Sequence, residues 1–198
     1  MSADTYPLRR RAVVRALLER RGAALVIAGL GAPAWDVAAA GDGPLDFPLW
    51  GAMGGAVPMG LGLALAQPGR RVIVITGDGE MLMGLGALAT VAARAPANLA
   101  IMVLDNERYG ETGMQETHTA RGVDLARIAA GAGFPIAGTV RDEAGLAAAL
   151  DAVLAAPGPV FQAIKLRAET PPRALPPREA VHLKTRFRLA LLGRDAVS

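Results

Sequence analysis

Cysteine is absent from all 198 residues, which excludes disulfides, iron–sulfur ligation and thiol nucleophiles together. Aromatic residues are scarce at 4%, so a core has to be assembled from Ala, Val, Leu and Ile. No apolar run approaches the roughly 20 residues needed to span a bilayer. Arg9-Arg10-Arg11 leads into an amphipathic, charge-interrupted stretch rather than the apolar segment of a secretory signal. The expectation is a soluble, cytoplasmic protein that touches no membrane. Charge of neither sign dominates, since 21 Lys and Arg against 18 Asp and Glu give +3. The basic residues gather in Arg9 to Arg21 and Arg167 to Arg194, at the two ends of the chain. They read as solvated or partner-facing helices rather than as a groove for nucleic acid. What is abundant is aliphatic: 52% hydrophobic residues and 24 glycines, the diet of a buried parallel sheet covered by Ala-rich helices.

Periodicity supports that fold class. Leu8 to Arg21 is apolar at helical spacing, and Ala23 to Ala28 is a short buried strand ended by Gly29-Leu30-Gly31. Pro33 then starts a helix through about Ala40. Phe47 to Trp50 is extended, and Val57 to Gln67 is an apolar helix. Arg71 to Thr76 (RVIVIT) is β-branched and apolar on both faces, a buried strand bounded by Pro68-Gly69 and Gly77. Met81 to Arg94 reads as one helix, Leu99 to Leu104 as a strand, and Asp105 to Gly122 as a polar loop. Helix, strand, helix and strand follow at Asp124–Ala132, Ile136–Val140, Asp142–Ala155 and Val160–Leu166. This alternation predicts an α/β fold, a doubly wound, mostly parallel sheet with helices on both faces. Residues 1–170 form that domain. Residues 171–198 supply a Pro-rich linker, Pro171 to Pro177, and a basic amphipathic helix, Arg178 to Leu192, packed on this domain or on a partner rather than folded alone.

In open parallel sheets, ligands bind beyond the carboxyl ends of the strands. Two such ends carry unusual polar runs, Gly77-Asp78-Gly79-Glu80 after RVIVIT and Asp105-Asn106-Glu107-Arg108-Tyr109-Gly110 after LAIMVL. Asp78 and Asn106 are 28 residues apart, one helix and one strand, so a crossover sets them side by side. A carboxylate, an amide oxygen and a backbone carbonyl make a hard-oxygen site suited to magnesium, which keeps positions for water and phosphate. Free N–H groups and the positive end of the helix starting near Glu80 would face the same phosphates. GDG by itself is equally a strand-to-helix turn with Asp78 as an N-cap; the second motif at this spacing decides against that.

The pair GDG and DN-x-x-YG resembles the magnesium-binding motif of thiamine-diphosphate-dependent decarboxylases and synthases, in their C-terminal, diphosphate-binding domain. The resemblance runs from about Leu8 to Leu192 and includes Trp50-Gly51-Ala52-Met53-Gly54, the Gly29 to Pro33 loop, Gly84 to Thr90, Tyr109 to Gln115 and Lys184 to Arg188. Within the family the chain is similar to the separate small subunits of sulfopyruvate decarboxylase and to phosphonopyruvate decarboxylase. It departs where Ser or Ala often stands in place of Glu80, and Ser in place of Glu111. The resemblance implies magnesium held by Asp78, Asn106 and the main-chain carbonyl of Arg108. It implies cofactor contacts from Gly29, Gly31, Gly51, Ala52, Met53, Gly77, Asp78, Gly79, Glu80, Asn106, Tyr109 and Gly110. Met53 would be the apolar wedge that bends the cofactor and brings its pyrimidine amine against the thiazolium C2; by itself, a Met at that position reads as core filler.

The activity implied is decarboxylation of a 2-oxo acid to an aldehyde and carbon dioxide, with sulfopyruvate or phosphonopyruvate as the substrate type. Thr112, Gln115 and His118, in a polar, glycine-containing loop beside the metal, are the candidate catalytic contacts; each also reads as a turn or solvated residue. The glutamate that activates the cofactor in this family lies in a domain expected upstream, so the chain is expected to need an alpha-type partner subunit carrying the pyrimidine-binding domain and that glutamate. Two other readings stay open. One is a different thiamine-diphosphate reaction, acetohydroxyacid-type carboligation or 2-oxo acid oxidation, and the other is a non-catalytic subunit that keeps the cofactor site for assembly.

Overall fold

The computed structural model describes residues 3–197. Six strands form one sheet, β1 (Leu25–Ala28), β2 (Asp46–Pro48), β3 (Val72–Gly77), β4 (Leu99–Asp105), β7 (Ile136–Val140) and β8 (Val160–Lys165). Their order is β2-β1-β3-β4-β8-β7, and every neighbouring pair is parallel. The helices are α1 (Arg10–Arg20), α2 (Ala32–Ala39), α3 (Ala56–Ala66), α4 (Asp78–Met83), α5 (Ala87–Arg94), α6 (Leu125–Ala132), α7 (Glu143–Ala155) and α8 (Ala180–Leu192). The doubly wound α/β fold read from the sequence is the fold observed.

Strand alternation distributes the aliphatic residues between two cores. Val26, Ile73, Ile75, Ala100, Met102 and Ile164 pack on α1, α2 and α7. Leu25, Ile27, Val74, Ile101, Val103 and Phe161 face α3, α5, α6 and Phe187 of α8. Because both faces are covered, β3 and β4 run apolar through Val72 to Ile75 and Leu99 to Leu104, with polar residues only at their carboxyl ends rather than alternating. Phe161 is fully buried and meets Phe134 edge-on at 6.0 Å.

Two details differ from the sequence reading. The helix expected over Met81 to Arg94 is broken at Gly84 to Gly86. A Cβ on Gly84 would collide with the carbonyl oxygen of Gly54, and one on Gly54 would lie 2.9 Å from the Gly84 amide. The break lets the backbone of the Met53 loop rest directly on the start of the α4–α5 turn. The polar loop from Asp105 to Gly122 is not structureless either. It contains a hairpin, β5 (Arg108–Tyr109) against β6 (Gln115–Glu116), and a 3-10 turn over His118–Arg121.

The carboxyl-terminal segment packs on the same domain. Arg173 lies over the Trp35 ring at 4.8 Å, Arg178 lies over Trp50 at 5.2 Å, and Trp50 Nε1 donates to the Pro177 carbonyl at 2.8 Å. Helix α8 then covers the edge strand β2, with Phe187 edge-on to Phe47 at 5.5 Å and Arg186 donating to both carboxylate oxygens of Asp42. Arg186 also donates to the Asp46 carbonyl of that strand at 3.2 Å. No helix among the described residues is long and apolar enough to cross a membrane.

Candidate active site

The register of β3 and β4 builds the site. Gly77 pairs with Leu104 in the parallel ladder, so the next residue on each strand, Asp78 and Asp105, emerge as neighbours at the carboxyl edge. Asp78 starts α4 and Asn106 follows β4 by one residue. Both line one cleft of about 140 Å³ together with Leu30, Met53, Gly77, Gly79, Glu80, Arg108, Tyr109, Gly110, Glu111 and Thr112. The two motifs of the sequence thus share one cavity.

Asp78 is 2% exposed. Its Oδ2 accepts the Thr117 hydroxyl at 2.6 Å, and the single Thr119 proton lies between two acceptors, Asp78 Oδ2 at 3.2 Å and Asp105 Oδ1 at 2.8 Å. Burial, and then the neighbouring Asp105 carboxylate, push Asp78 up to about 7. Asp105 is in turn paired with Lys165 at 2.8 Å, and Lys165 with Glu107 at 2.8 Å, where the Tyr6 hydroxyl donates at 3.0 Å. Lys165 is held above the ordinary lysine range by these two carboxylates, which outweigh its desolvation. Three parallel strand ends therefore carry two acids and a base in a row. The base neutralises Asp105 and leaves Asp78 with two hydroxyls and its own backbone amide, and no cation.

The backbone around the motifs is strained in a way that directs carbonyls and side chains. Glu107 (φ 60°), Met114 (φ 64°) and Ala52 (φ 61°) lie in the left-handed region, uncommon for residues with a side chain. The Asn106 side chain accepts the Arg108 amide at 3.1 Å, an Asx turn that sets the start of the hairpin. The Tyr109 ring packs on Gly79, where a Cβ would stand 2.6 Å from ring Cε1. Tyr109 is therefore a packing residue against the turn that follows Asp78.

Other residues named from sequence fall differently. Thr112 lines the cleft, and its hydroxyl donates to Gln115 Oε1 at 2.8 Å within the hairpin turn. Gln115 and His118 are exposed and are not part of the cleft wall. Gly29, Gly31, Gly51 and Ala52 sit behind or beside the wall rather than on it, while Leu30, Ala32 and Met53 form it. Met53 is 42% exposed, as a side chain reaching over an open cleft would be. Helix α4 has six residues, so its first N–H groups have no partner within the helix and the dipole behind them is short.

Sequence reasoning missed Thr117, Thr119, Lys165 and Arg10. The two threonines stand in Gln115 to Thr119, whose only signal is alternating hydroxyls after the hairpin. Arg10 belongs to a basic run read as solvated, yet it is 6% exposed, lines the cleft and pairs with Asp36 at 3.2 Å.

Among the described residues, no three His, Cys, Asp or Glu side chains cluster as a metal site. A carboxylate, an amide oxygen and a main-chain carbonyl form a donor set of another kind, suited to a hard cation that keeps water and phosphate ligands. A buried Asp78 beside a second carboxylate is an environment that a divalent cation would relieve, so the residues present fit such an ion.

The model of the thiamine pyrophosphate enzymes, C-terminal TPP-binding domain, matches residues 40–164. The chain belongs to this family. It is 42% identical over 143 residues to the sulfopyruvate decarboxylase subunit beta of Methanothermobacter thermautotrophicus, covering 72% of this chain and 74% of that one. It is 39% identical over 165 residues to the phosphonopyruvate decarboxylase of Streptomyces hygroscopicus, covering 83% of this chain but 41% of the relative's length. The benzoylformate decarboxylase of Polynucleobacter necessarius shares the fold, with a TM-score of 0.68 at 20% identity over 87% of this chain and 36% of that one.

Proposed function

We propose that this chain is the magnesium- and thiamine-diphosphate-binding subunit of a heteromeric 2-oxo acid decarboxylase, which releases an aldehyde and carbon dioxide. One observation carries the reading: Asp78, Asn106, Arg108, Tyr109, Gly110 and Met53 line the same cleft at the carboxyl edge of the sheet. When bound, thiamine diphosphate supplies the electron sink that decarboxylation of a 2-oxo acid requires.

The chain's own residues hold and orient. Asp78, Asn106 and the Arg108 carbonyl would ligate magnesium, with Thr117 and Thr119 fixing the Asp78 carboxylate so that its rotamer is set before the ion arrives. The amides of Gly79 and Glu80 would donate to the diphosphate at the start of α4. Met53 would wedge against the rings of the cofactor, and the loop around it would present main-chain groups to the aminopyrimidine. Thr112, on the cleft wall, is the hairpin residue best placed to meet substrate, with Gln115 and His118 available only if the hairpin closes. Arg10 and Arg108 share the wall with Asp78, Glu80, Glu111 and Glu169, so a substrate with a second anionic group, such as a sulfonate or phosphonate, is proposed from the names of the relatives and not from the charge of the cleft.

A partner subunit is part of the proposal. The relative matched over most of its length is named a beta subunit, and the chain spans about two-fifths of the phosphonopyruvate decarboxylase it resembles. The activating glutamate would come from that partner. The test is to purify the chain with its partner, supply magnesium and thiamine diphosphate, and screen 2-oxo acids for carbon dioxide release. Aldehyde as product supports the reading, and a ketol would point to carboligation instead. A complex that binds the cofactor but turns over no 2-oxo acid would refute it.

A further inference from the structure

Glu80 is 3% exposed and lies under the floor of the cleft. Its Oε2 accepts the Thr76 hydroxyl at 2.8 Å. The same oxygen sits against Gly29, so closely that a Cβ there would fall inside its van der Waals radius. The three nearest atoms to that absent Cβ all belong to the Glu80 carboxylate. Burial pushes the carboxyl above its ordinary range, the Thr76 hydroxyl and the nearby amides of Gly54, Ala56 and Leu30 act against that, and Oε1 makes no hydrogen bond. One side chain thus touches β3, the loop after β1 and the loop that carries Met53.

We propose that Glu80 is a positioning residue, a buried clamp that holds the Met53 loop and the Gly29-Leu30-Gly31 loop at the cleft in the absence of any ligand. The Met53 loop has reason to need one. Ala52 is in the left-handed region, Gly54 is at φ 87°, and the loop's own closure is the single Gly55 amide to Ala52 carbonyl bond at 2.7 Å. Gly29 is the matching half of the clamp: it is glycine because the carboxylate occupies the space of its side chain. The geometric claim stands by itself, while its value for cofactor binding rests on the function proposed above.

The test is amide hydrogen exchange on the full chain without cofactor, in Glu80→Ala, Gly29→Ala and the double variant. Glu80→Ala raises exchange at Leu30, Gly54 and Ala56 several-fold, since the carboxylate that fills the space between their loops is gone, while β3 and β4 stay protected. Gly29→Ala does the same by displacing the carboxylate, and the double variant is no worse than Glu80→Ala, since the added methyl then fills the vacated space. Thr76→Val, which removes only the donor, moves the same amides in the same direction and serves if Glu80→Ala fails to fold. Wild-type exchange in Gly29→Ala or Thr76→Val overturns the clamp, because the carboxylate would then be free to swing away at no cost. In the complex with the partner, Glu80→Ala also lowers the preference for thiamine diphosphate over inorganic diphosphate, each with magnesium, since inorganic diphosphate does not reach the Met53 loop. An unchanged preference overturns the positioning role. Failure of the wild-type complex to bind thiamine diphosphate at all would sink the functional reading and leave the exchange result untouched.

Discussion

Replacing Asp78 by Asn should make the metal-free chain more stable, not less. The carboxylate is buried beside Asp105 and pushed up to about 7 from an ordinary 3.8. For an acid raised in this way, the folded state holds its proton where the unfolded chain has released it. The favourable contribution is complete below about pH 4 and is lost progressively as pH rises to about 7. At roughly 1.4 kcal/mol per pH unit, stability falls by about 2–3 kcal/mol between pH 5 and pH 7 and is then flat. Asn has no charge to desolvate and still offers an oxygen to Thr117 and Thr119, so it escapes this loss. For a domain of this size the difference corresponds to roughly 5–10 °C in melting temperature. Thermal unfolding in a chelating buffer at pH 5 and pH 8 reads it directly. Asp78→Asn should gain on the wild type as pH rises, and magnesium with thiamine diphosphate should stabilise the wild-type complex but not the variant. A variant destabilised equally at both pH values would refute the reasoning, because Asp78 would then be an ordinary structural hydrogen-bonding residue.

Lys165→Met leaves Asp105 and Glu107 buried without their shared cation and should cost about 3–5 kcal/mol in urea unfolding. Adding Asp105→Asn and Glu107→Gln to that variant should recover much of the loss. Phe161→Ala, at a fully buried ring packed on Phe134, should cost about 3–5 kcal/mol by the same assay, with m unchanged. Asp142 caps α7 by accepting the Gly145 amide at 2.9 Å, so Asp142→Ala should cost about 1 kcal/mol and leave cofactor binding in the complex unaffected.

The parallel sheet was legible because Val72 to Ile75 and Leu99 to Leu104 are apolar at every position and the intervening segment reads as helical. Adjacency of these two strands sets Asp78 near Asn106. The sequence did not disclose what surrounds Asp78. Thr117 and Thr119 arrive through a hairpin of two-residue strands, too short for periodicity to register. Lys165 ends a strand whose neighbour in the sheet, β4, lies about sixty residues earlier, so its pairing with Asp105 depends on strand order alone. The break at Gly84 was equally hidden, since Gly within an apolar helical stretch costs only about 1 kcal/mol, and its cause lies thirty residues away at Gly54. Arg10 is hidden for a related reason: three consecutive arginines look solvated until α2 brings Asp36 beside Arg10 and Arg11.

The most direct test of the account is anomalous scattering from manganese in crystals of the complex grown with thiamine diphosphate. The account predicts one peak within about 2.0–2.3 Å of an Asp78 carboxylate oxygen, Asn106 Oδ1 and the Arg108 carbonyl, with diphosphate oxygens completing the shell. A peak on the Asp105 and Glu107 side of β4 instead, or diphosphate bound away from Gly79 and Glu80, would contradict it.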